Sequence, residues 1–176
     1  MQKKKDILIA LIGARGAGKS TVGSELAKII NFDFVDMDKE LESTYKMSIA
    51  DIFRVLGEKK FRDKELEISA LLASRTNTVI ATGGGIVETI PNNALLLRST
   101  VVYLKAAPET LASRIKNDPF SDKMRPPLTN ADSLLEEVKV ILAKREPLYE
   151  SASDIIIETD NQSPRDIAKK IGVKIE

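Results

Sequence analysis

Residues 8–30 read LIALIGARGAGKSTVGSELAKII. An apolar run meets glycines at 13, 16 and 18, then Lys19, Ser20 and Thr21, and the chain goes on with the spacing of an amphipathic helix. Gly13, Gly18, Lys19 and Ser20 satisfy the pattern G-x-x-x-x-G-K-[ST] between a buried strand and a helix, the context in which that pattern has meaning. Backbone N–H groups converge on an anion only where no Cβ blocks the approach and positive φ is allowed. A helix opening at Lys19 adds partial positive charge, Lys19 reaches the β- and γ-phosphates, and the Ser20 hydroxyl suits Mg²⁺. The loop from Gly16 through Ala17, Gly18, Lys19, Ser20 and Thr21 is therefore expected to hold the tail of a nucleoside triphosphate.

Short β-rich apolar runs recur along the chain at 6–12, 32–36, 77–82, 100–106 and 153–159, most of them apolar on both faces. Strands of that kind belong in a parallel sheet covered by helices on each side. Helices are expected to begin near Lys19, Asp38, Ser48, Pro108, Ala131 and Pro164. In the fifth of these, Leu134, Leu135, Val138, Ile141 and Leu142 share one face. Ser48 with Asp51, Ser133 with Glu136, and Ser163 before Pro164 carry capping chemistry. The alternation predicts a three-layer α/β fold.

With 176 residues, 43% of them hydrophobic, and no Ser/Gly/Pro-rich linker, the expectation is one domain spanning 1–176. Lys and Arg total 27 against 26 acidic residues, so no broad basic field exists to hold nucleic acid or an anionic membrane. Cysteine and histidine are both absent, which excludes disulfides, thiolate or imidazole metal sites and a Ser-His-Asp relay. Proton and charge work falls to Asp, Glu, Lys, Arg or a metal. The basic start MQKKK precedes an apolar run shorter than a secretory segment uses, and no run reaches the ~18 residues of a membrane span. A cytoplasmic, soluble protein is expected.

GTPases, ATP-driven machines and small-molecule kinases share the phosphate-holding loop. No N-K-x-D guanine-reading segment is present, and the length leaves little room for a motor. A compact kinase remains, and three parts of the chain speak to its acceptor. Asp36 and Asp38, two apart after the second strand, fall on one side near the carboxyl edge of the sheet. One could steady Mg²⁺ through water while the other faces an acceptor hydroxyl; the plain alternative for Asp38 is a helix cap. Arg62 lies in IFRVLGEKKFRDKELE, a segment otherwise suited to burying Phe53 and Phe61, and an arginine fork there points to an acceptor carboxylate, although a solvated helix arginine is the plainer reading. Gly83, Gly84 and Gly85 after the third strand leave bare backbone where a ligand can come close. Residues 114–133, RIKNDPFSDKMRPPLTNADS, form a polar, proline-studded stretch expected to act as a lid over about 114–131.

The set GARGAGKST, DMDKELE, IFRVLGEKKFRDKE, ATGGGIV, MRPPL and REPLY, in this order, resembles the shikimate kinase family over essentially the whole chain, from Ile7 to about Ile171. The resemblance implies a nucleoside-monophosphate-kinase-like fold with a five-stranded parallel sheet in order 2-3-1-4-5 and a mobile lid. It implies transfer of the γ-phosphoryl of ATP to the 3-hydroxyl of shikimate with Mg²⁺, a step of chorismate and aromatic amino-acid biosynthesis. By the same resemblance Asp38 would hold the acceptor hydroxyls and take the proton, with Asp36 on the metal's water shell. Arg62 and Arg145 would grip the carboxylate, the backbone at Gly84 and Gly85 would complete the pocket, and Phe53 and Phe61 would line its apolar side, within an acceptor-binding region of about 36–66. Glu65 would orient Arg62, and Arg125 would close on the transferring phosphoryl. Arg114 and the loop around Gln162 and Pro164 would form the adenine shelf. The interval from Arg114 to Arg125 is longer than the family pattern, and RPPL carries a proline where leucine is usual. ATP and shikimate are the expected partners of a monomer. A related kinase for another small hydroxy acid or a nucleotide, and a nucleotide-binding module without turnover, are the competing readings.

Overall fold

The computed structural model describes residues 6–118 and 133–175. Five strands, β1 (Leu8–Ile12), β2 (Asp33–Asp36), β3 (Thr78–Ala81), β4 (Thr100–Lys105) and β5 (Ile155–Glu158), form one sheet in order β2-β3-β1-β4-β5. All pairings are parallel, so every strand ends at the same edge. Ala10 stands opposite Ile80 of β3 and Val101 of β4, which places β1 at the centre. Both of its faces are covered, and Ile9, Leu11 and Ile12 are completely buried, each contributing roughly 1.5–3 kcal/mol of transfer free energy. The expected sheet and its order are those observed.

The helices are α1 (Lys19–Ile30), α2 (Met37–Tyr45), α3 (Ile49–Leu72), α4 (Ala94–Arg98), α5 (Pro108–Asn117), α6 (Leu134–Ala152) and α7 (Pro164–Ile175), with a 3₁₀ turn at Ile86–Thr89. The 3₁₀ turn and α4 had no expectation attached to them. The capping residues expected at Ser48 and Ser133 accept from Asp51 N and Glu136 N, and Ser163 accepts from Asp166 N at the start of α7. Helix α6 begins at Leu134 behind its Ser133 cap, a turn later than Ala131. Gly57, at φ 78° and ψ 169°, breaks α3 into two arms. The second arm buries Phe61, Glu65, Ile68 and Leu72 at helical spacing, and α6 buries Val138, Leu142, Arg145 and Tyr149 in the same way. A glutamate and an arginine thus sit on otherwise apolar stripes, each turned into the fold beside the carboxyl edge of the sheet. The expected lid lies outside the described residues from position 119 on, Arg125 included; Arg114 belongs to the last turns of α5.

Candidate active site

The turn after β1 is built around a close approach of the chain to α5. Gly16 has φ 82°, and a Cβ there would stand 3.0 Å from both Leu111 O and Ile115 Cγ1, so another residue would be strained in its backbone and crowded against that helix. Helix α1 then opens from Gly18, which has no side chain to bond the first-turn N–H groups; α2, α3 and α6, by contrast, are capped by Asp36, Ser48 and Ser133. An uncapped helix start is a site for an anion. Lys19 curls over the turn, its Nζ donating to Gly13 O at 2.8 Å and Ala14 O at 2.9 Å. Ala17 N–H is engaged within the turn, donating to Ala14 O at 3.1 Å, and Thr21 Oγ1 donates to Gly18 O at 3.0 Å.

Asp36 ends β2 and performs two tasks. Its Oδ1 caps α2, accepting from Asp38 N at 3.1 Å and Lys39 N at 3.4 Å, while its Oδ2 accepts from Ser20 Oγ at 2.6 Å. The cap that Asp38 could have supplied therefore comes from Asp36, and Asp38 faces the cleft instead. That cleft has a volume of about 370 Å³; the phosphate-loop residues Gly16 to Thr21, except Ala17, form one wall, and Asp36, Asp38 and Gly84 stand across from them. Arg15, Thr82 and Asp118 also line it and had not been singled out. Thr82 is the most legible of the three, because it directly precedes the triple glycine.

Arg114 reaches the cleft from α5. Its Nη1 donates to Thr159 Oγ1 at 3.1 Å and to Gly16 O at 3.4 Å, and its Nη2 donates to Thr159 O at 2.8 Å. The guanidinium thereby links α5, the glycine turn and the end of β5. Pro164 opens α7 beside a neighbouring depression that shares Ser20 and Thr21, and Gln162 is held by Glu158 O and Lys170. Neither residue lines the cleft to which Arg114 belongs.

A second cluster adjoins the cleft through the glycine wall. Gly84 O accepts from the buried Tyr149 hydroxyl, whose pKa burial pushes up to about 12 against the lowering pull of Arg145. Gly85 lets the Arg62 guanidinium lie against the backbone: a Cβ there would stand 2.5 Å from Arg62 Cζ. Arg62 donates from Nη1 to Glu65 Oε2 at 2.7 Å and stands 5.2 Å from the Phe61 ring centroid. The Phe61 ring stacks on Phe53 at 4.2 Å; Phe61 is fully covered and Phe53 half-buried. Arg145 comes from α6, and its Nε donates to Glu88 Oε1 at 2.7 Å. Burial pushes the Glu88 carboxyl up, but the hydrogen bond and charge of Arg145, with Lys144 and Arg62 behind them, hold it below the usual carboxylate range.

Two surfaces therefore meet at Gly84 and Gly85. One is suited to a polyanionic phosphate tail, and the other carries two guanidinium groups fit for a carboxylate. The family model described as shikimate kinase matches residues 15–176. A shikimate kinase of Shewanella sediminis is 39% identical over 173 residues, covering 97% of this chain and 96% of its own. The solved structure of shikimate kinase from Acinetobacter baumannii in complex with shikimate superposes with a TM-score of 0.90 at 36% identity, covering 98% of this chain and 94% of that one. Shikimate kinase from Aquifex aeolicus superposes with a TM-score of 0.80 at 33% identity, covering 96% of each chain.

Proposed function

The chain belongs to the shikimate kinase family, and on that premise we propose that it transfers the γ-phosphoryl of ATP to the 3-hydroxyl of shikimate. The products are ADP and shikimate 3-phosphate, a step of chorismate and aromatic amino-acid biosynthesis. The observation that carries this reading is the shared glycine wall: Gly84 lines the phosphate cleft, while Gly85 packs against Arg62. An acceptor that bears one carboxylate and several ring hydroxyls can span from the arginines to Asp38.

The roles follow from the chemistry of each position. Lys19, now on loop carbonyls, exchanges them for β- and γ-phosphate oxygens when ATP binds, and the turn from Gly16 through Ala17, Gly18, Ser20 and Thr21 holds the remaining phosphates. Arg114, held by Thr159 at the end of β5, and the Gln162–Pro164 loop that follows that strand are assigned to the adenine shelf. Kinases of this family are ATP-dependent and use a divalent metal. The Ser20 hydroxyl and Asp36 carboxylate, 2.6 Å apart, are hard oxygen donors that fit Mg²⁺ in the usual manner of one or two protein oxygens completed by waters and phosphates. Ser20 would hold such an ion directly and Asp36 through water, and the ion would supply positive charge to the β- and γ-phosphates.

Asp38 accepts the proton of the attacking hydroxyl, and Arg62 with Arg145 fixes the ring through its carboxylate. The Gly84–Gly85 backbone closes the pocket; Phe53 forms its apolar side, backed by Phe61. Arg125, outside the described residues, is assigned to the lid over about 114–131, where an arginine brought to the equatorial oxygens would both add charge and exclude water. The acceptor-binding region is assigned to about 36–66 within one domain over 1–176. A monomeric enzyme fits, because the residues assigned to both substrates come from one chain. Among the described residues no helix is long and apolar enough to cross a membrane. A cytoplasmic site of action belongs to the same proposal and agrees with the absence of cysteine.

The test is coupled ADP release by purified protein offered shikimate, gluconate or a nucleoside monophosphate in turn. Shikimate alone should support turnover. Turnover with either of the others and none with shikimate would overturn the assignment.

A further inference from the structure

One charged group in the acceptor cluster has no part in the roles assigned above. Glu88 lies in the 3₁₀ turn three residues beyond Gly85, and its Oε1 stands 2.7 Å from Arg145 Nε and 3.3 Å from Lys144 Nζ. The two cations are unlike: the Arg145 side chain is 8% exposed, whereas Lys144 is 70% exposed and solvated. A guanidinium does not discharge when buried, so an arginine on the apolar stripe of α6 needs a counter-charge supplied by the fold. Glu88 supplies it from a segment 57 residues away in sequence.

Arg62 is treated in the same way. Its partner Glu65 is fully buried and comes from its own helix, at 2.7 Å. Arg62 has a second, longer ion pair to Glu58 at 3.9 Å, so each acceptor-side arginine is closely held by one carboxylate at 2.7 Å. The Glu88 pair differs in that it fastens α6 to the turn carrying Gly84 and Gly85, the backbone shared with the phosphate cleft. A bond at Nε uses one of the five N–H donors of the guanidinium and fixes the plane of the fork.

We propose that Glu88 is a positioning residue for the acceptor: it holds Arg145 by its Nε edge against the Gly84–Gly85 wall, so that the guanidinium meets the acceptor carboxylate already oriented. The inference rests on the shikimate reading of the site and goes beyond it by assigning a residue that touches neither substrate. A carboxylate so near an anionic ligand would by itself repel it. Arg145, Lys144 and Arg62 all stabilise the Glu88 charge, so the carboxylate sits within a locally cationic cluster. The counter-charge bears on stability and the Nε hydrogen bond on orientation, so for acceptor binding an uncharged side chain of the same shape should serve nearly as well even where it lowers stability.

The experiment is shikimate titration calorimetry together with steady-state kinetics on the wild type, E88A, E88D and E88Q. E88A should weaken shikimate binding and raise its KM about tenfold, with kcat within about twofold and the KM for ATP unchanged. E88D keeps the charge but falls short of Nε, so it should also weaken shikimate binding, by several-fold. E88Q keeps an acceptor oxygen in place and should stay within about threefold of wild type. If E88A does not fold, the ranking of E88Q above E88D still decides the matter. Wild-type affinity in both E88A and E88D, or E88D ranking above E88Q, would overturn the inference, as would equal losses toward shikimate and ATP in all variants. A wild type that binds no shikimate would overturn the functional reading and this inference with it, whereas a binding wild type with indifferent variants would remove this inference alone.

Discussion

Ser20 Oγ donates to Asp36 Oδ2 at 2.6 Å, joining the first turn of α1 to the end of β2 across the mouth of the phosphate cleft. The contact sets a hydroxyl and a carboxylate side by side as hard oxygen donors. Asp36→Asn keeps an acceptor for the α2 cap while removing the charge, so its helix should survive. The apparent Mg²⁺ affinity should fall by roughly 10- to 100-fold, read from the Mg²⁺ dependence of ADP release. Asp36→Ala should show that loss together with about 1 kcal/mol lower stability from the missing cap.

Lys19 holds two carbonyls of its own loop, at 2.8 and 2.9 Å, and so brings a positive charge directly onto the turn. Lys19→Ala should lower kcat by at least about 10²-fold, with the circular dichroism spectrum unchanged. Shikimate affinity measured without nucleotide should stay near wild type, because the acceptor cluster is built from other elements.

Gly85 and Arg62 are in contact, and the contact leaves no room for a methyl group. Gly85→Ala should push the guanidinium away and raise the KM for shikimate about tenfold with little change in the KM for ATP. Arg62→Lys, which keeps the charge but loses the two-pronged geometry, should have an effect of similar size. Arg62→Ala should in addition destabilise the protein by about 3 kcal/mol, since it removes a charge partner of a fully buried glutamate. Paired kinetics and thermal melts separate the two effects.

Asp160, just beyond β5, accepts from Thr110 Oγ1 at 2.5 Å and from Ala107 N at 3.2 Å, tying down the start of the helix that carries Arg114. The Thr110 hydrogen bond, reinforced by Ala107 N–H and the charge of Arg114, holds its carboxyl below the usual 3.8 despite partial desolvation. A depressed folded-state pKa means that this stabilisation is fully present above the ordinary Asp value and is lost as pH falls below it. Asp160→Asn should therefore cost stability at pH 7 and cost little once wild-type Asp160 is itself protonated, well below pH 3.8. Thermal melts of both proteins from pH 7 downward should converge.

Much of this architecture was legible in the sequence because the strands are apolar on both faces and the phosphate turn has a rigid glycine pattern. Helix α4 and the 3₁₀ turn were not, since Ile86–Arg98 carries Pro91, two asparagines and no sustained period, and its helices depend on packing and on the Asn93 cap. The division of labour between Asp36 and Asp38 was half legible. Their spacing put both at the strand end, but which one capped α2 depended on backbone geometry. Arg145 falls on the stripe of Val138, Leu142 and Tyr149, so its burial follows from helical spacing. Glu88 offered no local sign, as a single glutamate after a glycine turn acquires its meaning only when α6 is brought to it.

The most direct test of a continuous site running from the phosphate turn to the paired arginines is ³¹P NMR of the protein with ATP, Mg²⁺ and shikimate. A phosphomonoester resonance coupled to the ring proton at the 3-position should appear in step with ADP. Release of inorganic phosphate without an ester, or esterification at another hydroxyl, would contradict a site of that kind.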